Sequence, residues 1–232
     1  PTKQGQIYLL DRRTGKPLAD VRELPVPQGA SPGDWTSKTQ PFSVGMPAFD
    51  TTRLTEQRMW GATPLDQLLC RIKFRQARYK GPYTPPGLTP SIFYPGFLGG
   101  IDWGGIAVDP ERHLMTVNWS RVPNYIRMMQ RAEAGGIEKS ADKAVHVGLP
   151  APMAGTPFAV LSGAFLSPLE MPCTEPPFGK IGVVDLVNRK MIWDRALGTS
   201  KDSGPMGLAS GLPMPMGVPN TGGSMMTRAG LI

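Results

Sequence analysis

An all-β fold of short hairpins and long ordered loops is what this 232-residue sequence predicts. Three observations carry that expectation. The chain holds 28 Gly and 26 Pro, far above the roughly 12% of an average protein, and such punctuation interrupts helices more than strands. Apolar runs of strand length, each closed by an acidic turn residue, recur along it. Only limited stretches carry the 3.6-residue period of an amphipathic helix. Five Trp and a 40% hydrophobic content supply enough apolar surface to offset the entropy of ordering, so the chain is expected to fold.

In chain order, "GQIYLLDRRTGKPL" (5–18) reads as a hairpin that turns at Asp11 and Thr14-Gly15. The next signal is helical. In "TPLDQLLCRIKFRQARY" (63–79), Thr63 is the N-cap, Pro64 the first helical residue and Asp66 a first-turn acid. Leu65, Leu68, Leu69 and Ile72 form its apolar stripe, and its basic residues come late, where the helix dipole favours them. "GGIDWGGIAVDPERHLMTVN" (99–118) supplies a Gly-rich entry, a strand from Ile106 to Val108, a turn at Asp109-Pro110 and a strand from His113 to Asn118. A second short helix is expected from Tyr125 to Ala134, stopped by Gly135-Gly136. "GKIGVVDLVNRKMIWDRAL" (179–197) repeats the first hairpin, and "NTGGSMMTRAGLI" (220–232) repeats the Gly-rich entry. Laid end to end, these predict a half unit (1–18), an insert (19–98), one complete unit (99–197, itself holding an insert at 120–178) and a further half unit (220–232). That is the cadence of a β-propeller, whose blades are four-stranded antiparallel sheets. A partial propeller with long loop inserts and one or two short helices is the expected fold.

The net charge is +7, and Arg71, Lys73, Arg75, Arg78 and Lys80 crowd one stretch. No nucleic-acid module or interleaved stacking aromatics accompany them, so nucleic acid is not an expected partner. A solvated helix face, or one lying near an anionic membrane, accounts for the run. Cys70 and Cys173 lack metal-ligand spacing and are either two buried thiols or one long-loop disulfide. No apolar stretch is long enough to span a bilayer. The opening "PTKQG" and the closing "RAGLI" read as the ends of a piece of a longer protein.

Several chemistries fall on spacing. "GGIDWGG" is not GxGxxG and precedes a strand, which removes the dinucleotide reading, and no Walker-type phosphate loop exists. No serine stands in GxSxG. His113 and His146 are isolated; Asp102, Asp109 and Asp185 each have a turn role. Trp193 is expected to pack between blades, as is the Met-rich loop near residues 204–217.

The stretches "GQIYLLDRRTGKPL", "PVPQGASPGDWTSKTQPFSVGMP", "MWGATPLDQLLCR", "YTPPG", "FYPGFLGGIDWGGIAVDP", "FLSPLEMPCTEPPFGKIGVVDL" and "NTGGSMMTRAGLI" together resemble the membrane-bound quinoprotein dehydrogenases of the glucose/quinate/shikimate type. Those enzymes use pyrroloquinoline quinone (PQQ). The resemblance covers nearly the whole chain in order. It implies an eight-bladed propeller on the periplasmic face of the bacterial inner membrane, joined to membrane helices, with PQQ and a Ca2+ or Mg2+ ion near the axis. It also implies oxidation of a sugar or cyclitol and delivery of the electrons to ubiquinone. By resemblance, Lys3 is the basic residue that contacts the PQQ oxygens, and Asn118 lines the same pocket. Trp103, with Gly104 and Gly105, brings an inner strand close to the axis, and Asn220 and Thr221 occupy the entry of the next blade. The catalytic aspartate is expected upstream of this chain, and the metal ligands in other blades, so this segment alone is expected to be inactive. "DSGPMG" and "PNTGGS" resemble the quinate/shikimate branch more than the glucose branch. A non-catalytic propeller scaffold is the competing reading, because fold does not imply function.

Overall fold

The computed structural model describes residues 1–29, 31–49, 53–97, 99–134, 150–230 and 232. His146 and the expected Gly135-Gly136 helix stop lie outside them. Two four-stranded antiparallel sheets organise the described residues.

The first sheet contains β4 (Ile106–Asp109), β5 (Leu114–Ser120), β9 (Gly179–Asp185) and β10 (Lys190–Ala196), paired in that spatial order. Its two hairpins close on the same device. Asp109 Oδ1 accepts the N–H groups of Glu111 and Arg112, both at 3.0 Å. Asp185 Oδ1 accepts those of Val187 and Asn188 at 2.8 and 2.9 Å. These backbone donors hold both carboxyls below the usual carboxylate range. Asp11 makes the same turn, accepting from Arg13 at 2.7 Å and Thr14 at 3.3 Å, although its hairpin has only the Leu10–Pro17 bridge as a ladder. The central strands β5 and β9 are buried, with Met115, Val117, Trp119 and Val184 packed on Ile7, Met46, Phe49 and Ile101. Burying a side chain such as Val117 contributes about 1.5–3 kcal/mol.

The second sheet runs β3 (Ser91–Phe93), β6 (Asn124–Gln130), β8 (Phe158–Ala164) and β7 (Pro150–Pro152). The two inserts thus hold this sheet besides their loops, together with a hairpin of β1 (Val21–Pro25) and β2 (Thr39–Ser43) and one helix, α1 (Pro64–Gln76). The expected helix at 125–134 is instead strand β6 followed by a 3-10 turn, Arg131–Ala134. Burial alternates strictly from Asn124 to Met129, a period of two, and β3 and β8 pair on either side. Cross-strand pairing overrides the helix-compatible Met-rich composition.

α1 starts as expected, with Pro64 at its first position and Thr63 Oγ1 accepting from the Asp66 N–H at 3.2 Å. Its orientation is a correction. Leu65, Leu68, Leu69 and Ile72 are exposed, whereas Asp66 and Cys70 are buried. Two bonds fix that rotation: Asp66 accepts from the Ala62 N–H at 3.0 Å, and Cys70 forms a disulfide with Cys173. The open choice between thiols and a disulfide resolves as the disulfide. The basic run is largely engaged by the fold. Arg71 and Arg75 pair with Glu56, Lys73 lies over the Tyr125 ring, and Arg78 bonds the carbonyls of Gly29 and Pro85.

Trp193 sits half-exposed on edge strand β10 with the Arg195 guanidinium over its ring. One further expectation is corrected. Residues 220–230 form no strand; their backbone finds a single hydrogen bond to the glycine loop, from the Gly104 N–H to the Thr221 carbonyl, and no ladder. No helix of the described residues is long and apolar enough to cross a membrane.

Candidate cofactor site

Lys3 stands in a tight turn in which the Gly5 N–H donates to the Thr2 carbonyl at 2.9 Å. Gly5 has φ +74°, and a Cβ there would lie 2.0 Å from the Phe49 oxygen, so only glycine fits. The Lys3 ammonium donates to the Phe97 carbonyl at 2.7 Å and lies 3.3 Å from Asp102 Oδ1. Its side chain is 56% exposed while that of Asp102 is 4% exposed. The buried carboxylate therefore orients a cation that still reaches solvent. Asp102 was assigned only a turn role by sequence. Its carbonyl does accept the Gly105 N–H at 2.8 Å, but its carboxylate serves Lys3.

Beside Asp102, the Trp103 indole is 90% exposed. The loop then meets the 220–223 segment backbone to backbone. Gly104 donates to the Thr221 carbonyl at 3.1 Å, and a Cβ on Gly104 would fall 2.2 Å from Gly223. Asn118, at the end of central strand β5, donates its amide to the Gly222 carbonyl at 2.7 Å and to Asn220 Oδ1. Its own Oδ1 is buried without a partner. Ser120 exchanges hydrogen bonds with Asn220, both at 3.1 Å.

These contacts join into one seam. The Gly100 N–H donates to the Lys3 carbonyl at 2.8 Å, and the Gly100 carbonyl accepts from the Ser120 N–H at 3.0 Å. Residues 3, 100–105, 118–120 and 220–223, widely spaced in sequence, are thereby connected. Lys3, Trp103 and Asn118 contribute side chains along this seam; Thr221 contributes its carbonyl, with an exposed side chain. Asp102, Ser120 and Asn220 complete it. Among the described residues, no three His, Cys, Asp or Glu side chains gather as a metal-binding group.

The family model for the glucose/ethanol/alcohol dehydrogenase β-propeller domain (PQQ) matches residues 1–232. The chain belongs to this family. Its sheets are those of a partial PQQ β-propeller. Among relatives, it is 47% identical to a quinate/shikimate dehydrogenase (quinone) of Acinetobacter baylyi, over all of this chain and 29% of the relative. It is 44% identical to a glycerol dehydrogenase large subunit of Gluconobacter thailandicus, over all of this chain and 33% of that protein. Identity to a quinoprotein glucose dehydrogenase of Escherichia coli is 38%, over all of this chain and 29% of that protein. The chain spans about a third or less of the length of these curated relatives. Within the PQQ family frame, the seam lies where the first sheet's Gly-rich entry loop and the end of β5 come together.

Proposed function

We propose that this chain is part of a periplasm-facing PQQ-dependent dehydrogenase that oxidises a cyclic polyol, with quinate and shikimate preferred, and passes the electrons to ubiquinone. The observation that carries the reading is the polar seam joining Lys3, Asp102 and Asn118 in a chain matched by the PQQ family along its whole length. In this reading the first sheet is one propeller blade, and residues 1–18 and 220–232 belong to its neighbours.

The seam's residues fit such a cofactor. Lys3 offers a cation, Asn118 an unpartnered buried carbonyl oxygen, and the glycines at 104 and 105 a backbone without side chains in the way. Bound there, PQQ supplies a two-electron acceptor for the hydride of an alcohol carbon, with a Ca2+ or Mg2+ ion held by residues elsewhere in the parent protein. Lys3 presents its ammonium to an acceptor oxygen and favours negative charge there. Asp102 holds that ammonium in place, and Trp103 supplies an aromatic wall. The disulfide supports an oxidising compartment, in keeping with the periplasm. The identity to the quinate/shikimate relative favours the cyclitols; relatives named for glycerol and glucose carry the second reading, a different polyol on the same chemistry.

The test is dye-linked oxidation by the full-length protein reconstituted with PQQ and Ca2+ or Mg2+, with quinate, shikimate, glucose and glycerol side by side. Turnover on the cyclitols is expected, and Lys3→Ala is expected to lower kcat on the order of 10²-fold, as loss of a charge-stabilising donor does. Turnover on glucose or glycerol alone moves the protein to the second reading, and none on any polyol leaves the scaffold.

A further inference from the structure

A cavity of about 280 Å3 opens between the tip of the β1–β2 hairpin and the proline-rich segment 81–86, with β3 and Tyr94 behind it. This is near the lower end of ligand pockets, the size for one ring and not for a dinucleotide. Its lining mixes Gln4, Asp34 and Gln40 with the apolar faces of Pro85 and Phe93. No Lys or Arg lines it, so it offers no counter-charge to a phosphate or a carboxylate.

Three observations point to a hydroxyl-rich ring. Gln4 Oε1 is buried without a hydrogen-bond partner, an acceptor that stays unfavourable until a donor reaches it. Trp35, 81% exposed, stands in sequence between two lining residues, Asp34 and Thr36. An exposed indole next to the cavity has a flat apolar face with a polar edge, which suits the C–H face of a polyol ring. The walls are also tied together: the Arg78 guanidinium donates to the Gly29 carbonyl at 2.7 Å and to that of Pro85, which preorganises the opening.

The position matters as much as the lining. Gln4 directly follows Lys3, so the cavity begins one residue, about 3.8 Å of backbone, from the residue that presents the ammonium. We propose that this cavity holds the ring of the polyol substrate, with Gln4 and Gln40 reading its hydroxyls and Trp35 covering its C–H face. The inference rests on the dehydrogenase reading and adds the residues that select the substrate. Because the lining lacks a cationic side chain, it reads hydroxyls and leaves an acid group, where the polyol has one, pointing out of the cavity.

The experiment uses the full-length protein with two readouts. In saturation-transfer NMR of the PQQ-free protein, ring protons of quinate and of glucose are expected to receive saturation, and Trp35→Ala and Gln40→Leu to reduce it at least five-fold. In the reconstituted enzyme, both variants are expected to raise KM for the oxidised polyol ten-fold or more while PQQ affinity and Tm stay near wild type. Undiminished saturation transfer with unchanged KM in both variants overturns the proposal. So does a loss of PQQ affinity in parallel with KM, which makes the cavity part of the cofactor's support. If the wild type oxidises no polyol, the dehydrogenase reading falls, and the NMR result alone decides the cavity: saturation lost in the variants supports it, and none in the wild type rejects it.

Discussion

The two four-stranded sheets have similar strand lengths at their centres but are held by different means. In the first, spatial order follows chain order, and each hairpin is closed locally by an aspartate two and three residues before its donors. In the second, β3 comes from more than thirty residues before its partner β6, and α1 is fastened behind the sheet by the Cys70–Cys173 bond, which spans 103 residues. Leu54, Met59, Ile92, Tyr94 and Phe165 pack around that disulfide. Local turns close both hairpins of the first sheet, although its central β5–β9 pairing is itself long-range; a covalent tie between distant residues is added only behind the second.

The strongest way to break this comparison is to remove the tie. Cys70→Ala with Cys173→Ala is expected to lower stability by about 2–5 kcal/mol, the usual range for a native disulfide. Amide exchange checks where the loss falls: β3, β6 and β8 should open while β5 and β9 keep their protection. Uniform loss would mean the sheets are one cooperative unit. A smaller effect is expected from Gly104→Ala, because its Cβ would have to push Gly223 away, overpacking worth about 1–3 kcal/mol. Isothermal titration with PQQ should then show weaker binding with the second sheet untouched. The smallest effect concerns the turns. Asp109 and Asp185 have lowered pKa values in the fold, so the stability they contribute is complete above the unfolded carboxylate range, about 3.9, and is lost as pH falls through the lower folded values. Thermal melts from pH 6 to 3 should therefore decline more steeply for wild type than for Asp109→Asn with Asp185→Asn; equal slopes would show that the turns add nothing.

Legibility in the sequence follows the same division. The Asp-led turns are local signals, so β4, β5, β9 and β10 could be read directly, as could the start of α1 from Thr63 and Pro64. The second sheet could not. β3 and β7 are three residues long, too short for periodicity to register, and without visible partners the Met-rich β6 passed for a helix. The rotation of α1 was equally hidden, because a disulfide and a buried aspartate outvote four aliphatic residues. Lys3, Trp103, Asn118 and Thr221 were singled out through resemblance alone. Asp102 reads as a turn residue, which it is, but its pairing with Lys3 is hidden because that partner lies 99 residues away.

The Asp-led turns also bear on the order in which the chain assembles. β4–β5 and β9–β10 are contacts a few residues apart and can close within microseconds, but the pairing of Leu114 with Asp185 must bring together ends 71 residues apart. Closing a loop of that length is entropically unfavourable until something shortens it. The second sheet lies within that stretch through β6, β7 and β8, so its early formation would draw β5 and β9 together. We expect φ-values in β6 and β8 to exceed those along the β5–β9 ladder; the reverse ranking would mean that the first sheet nucleates folding despite its divided chain.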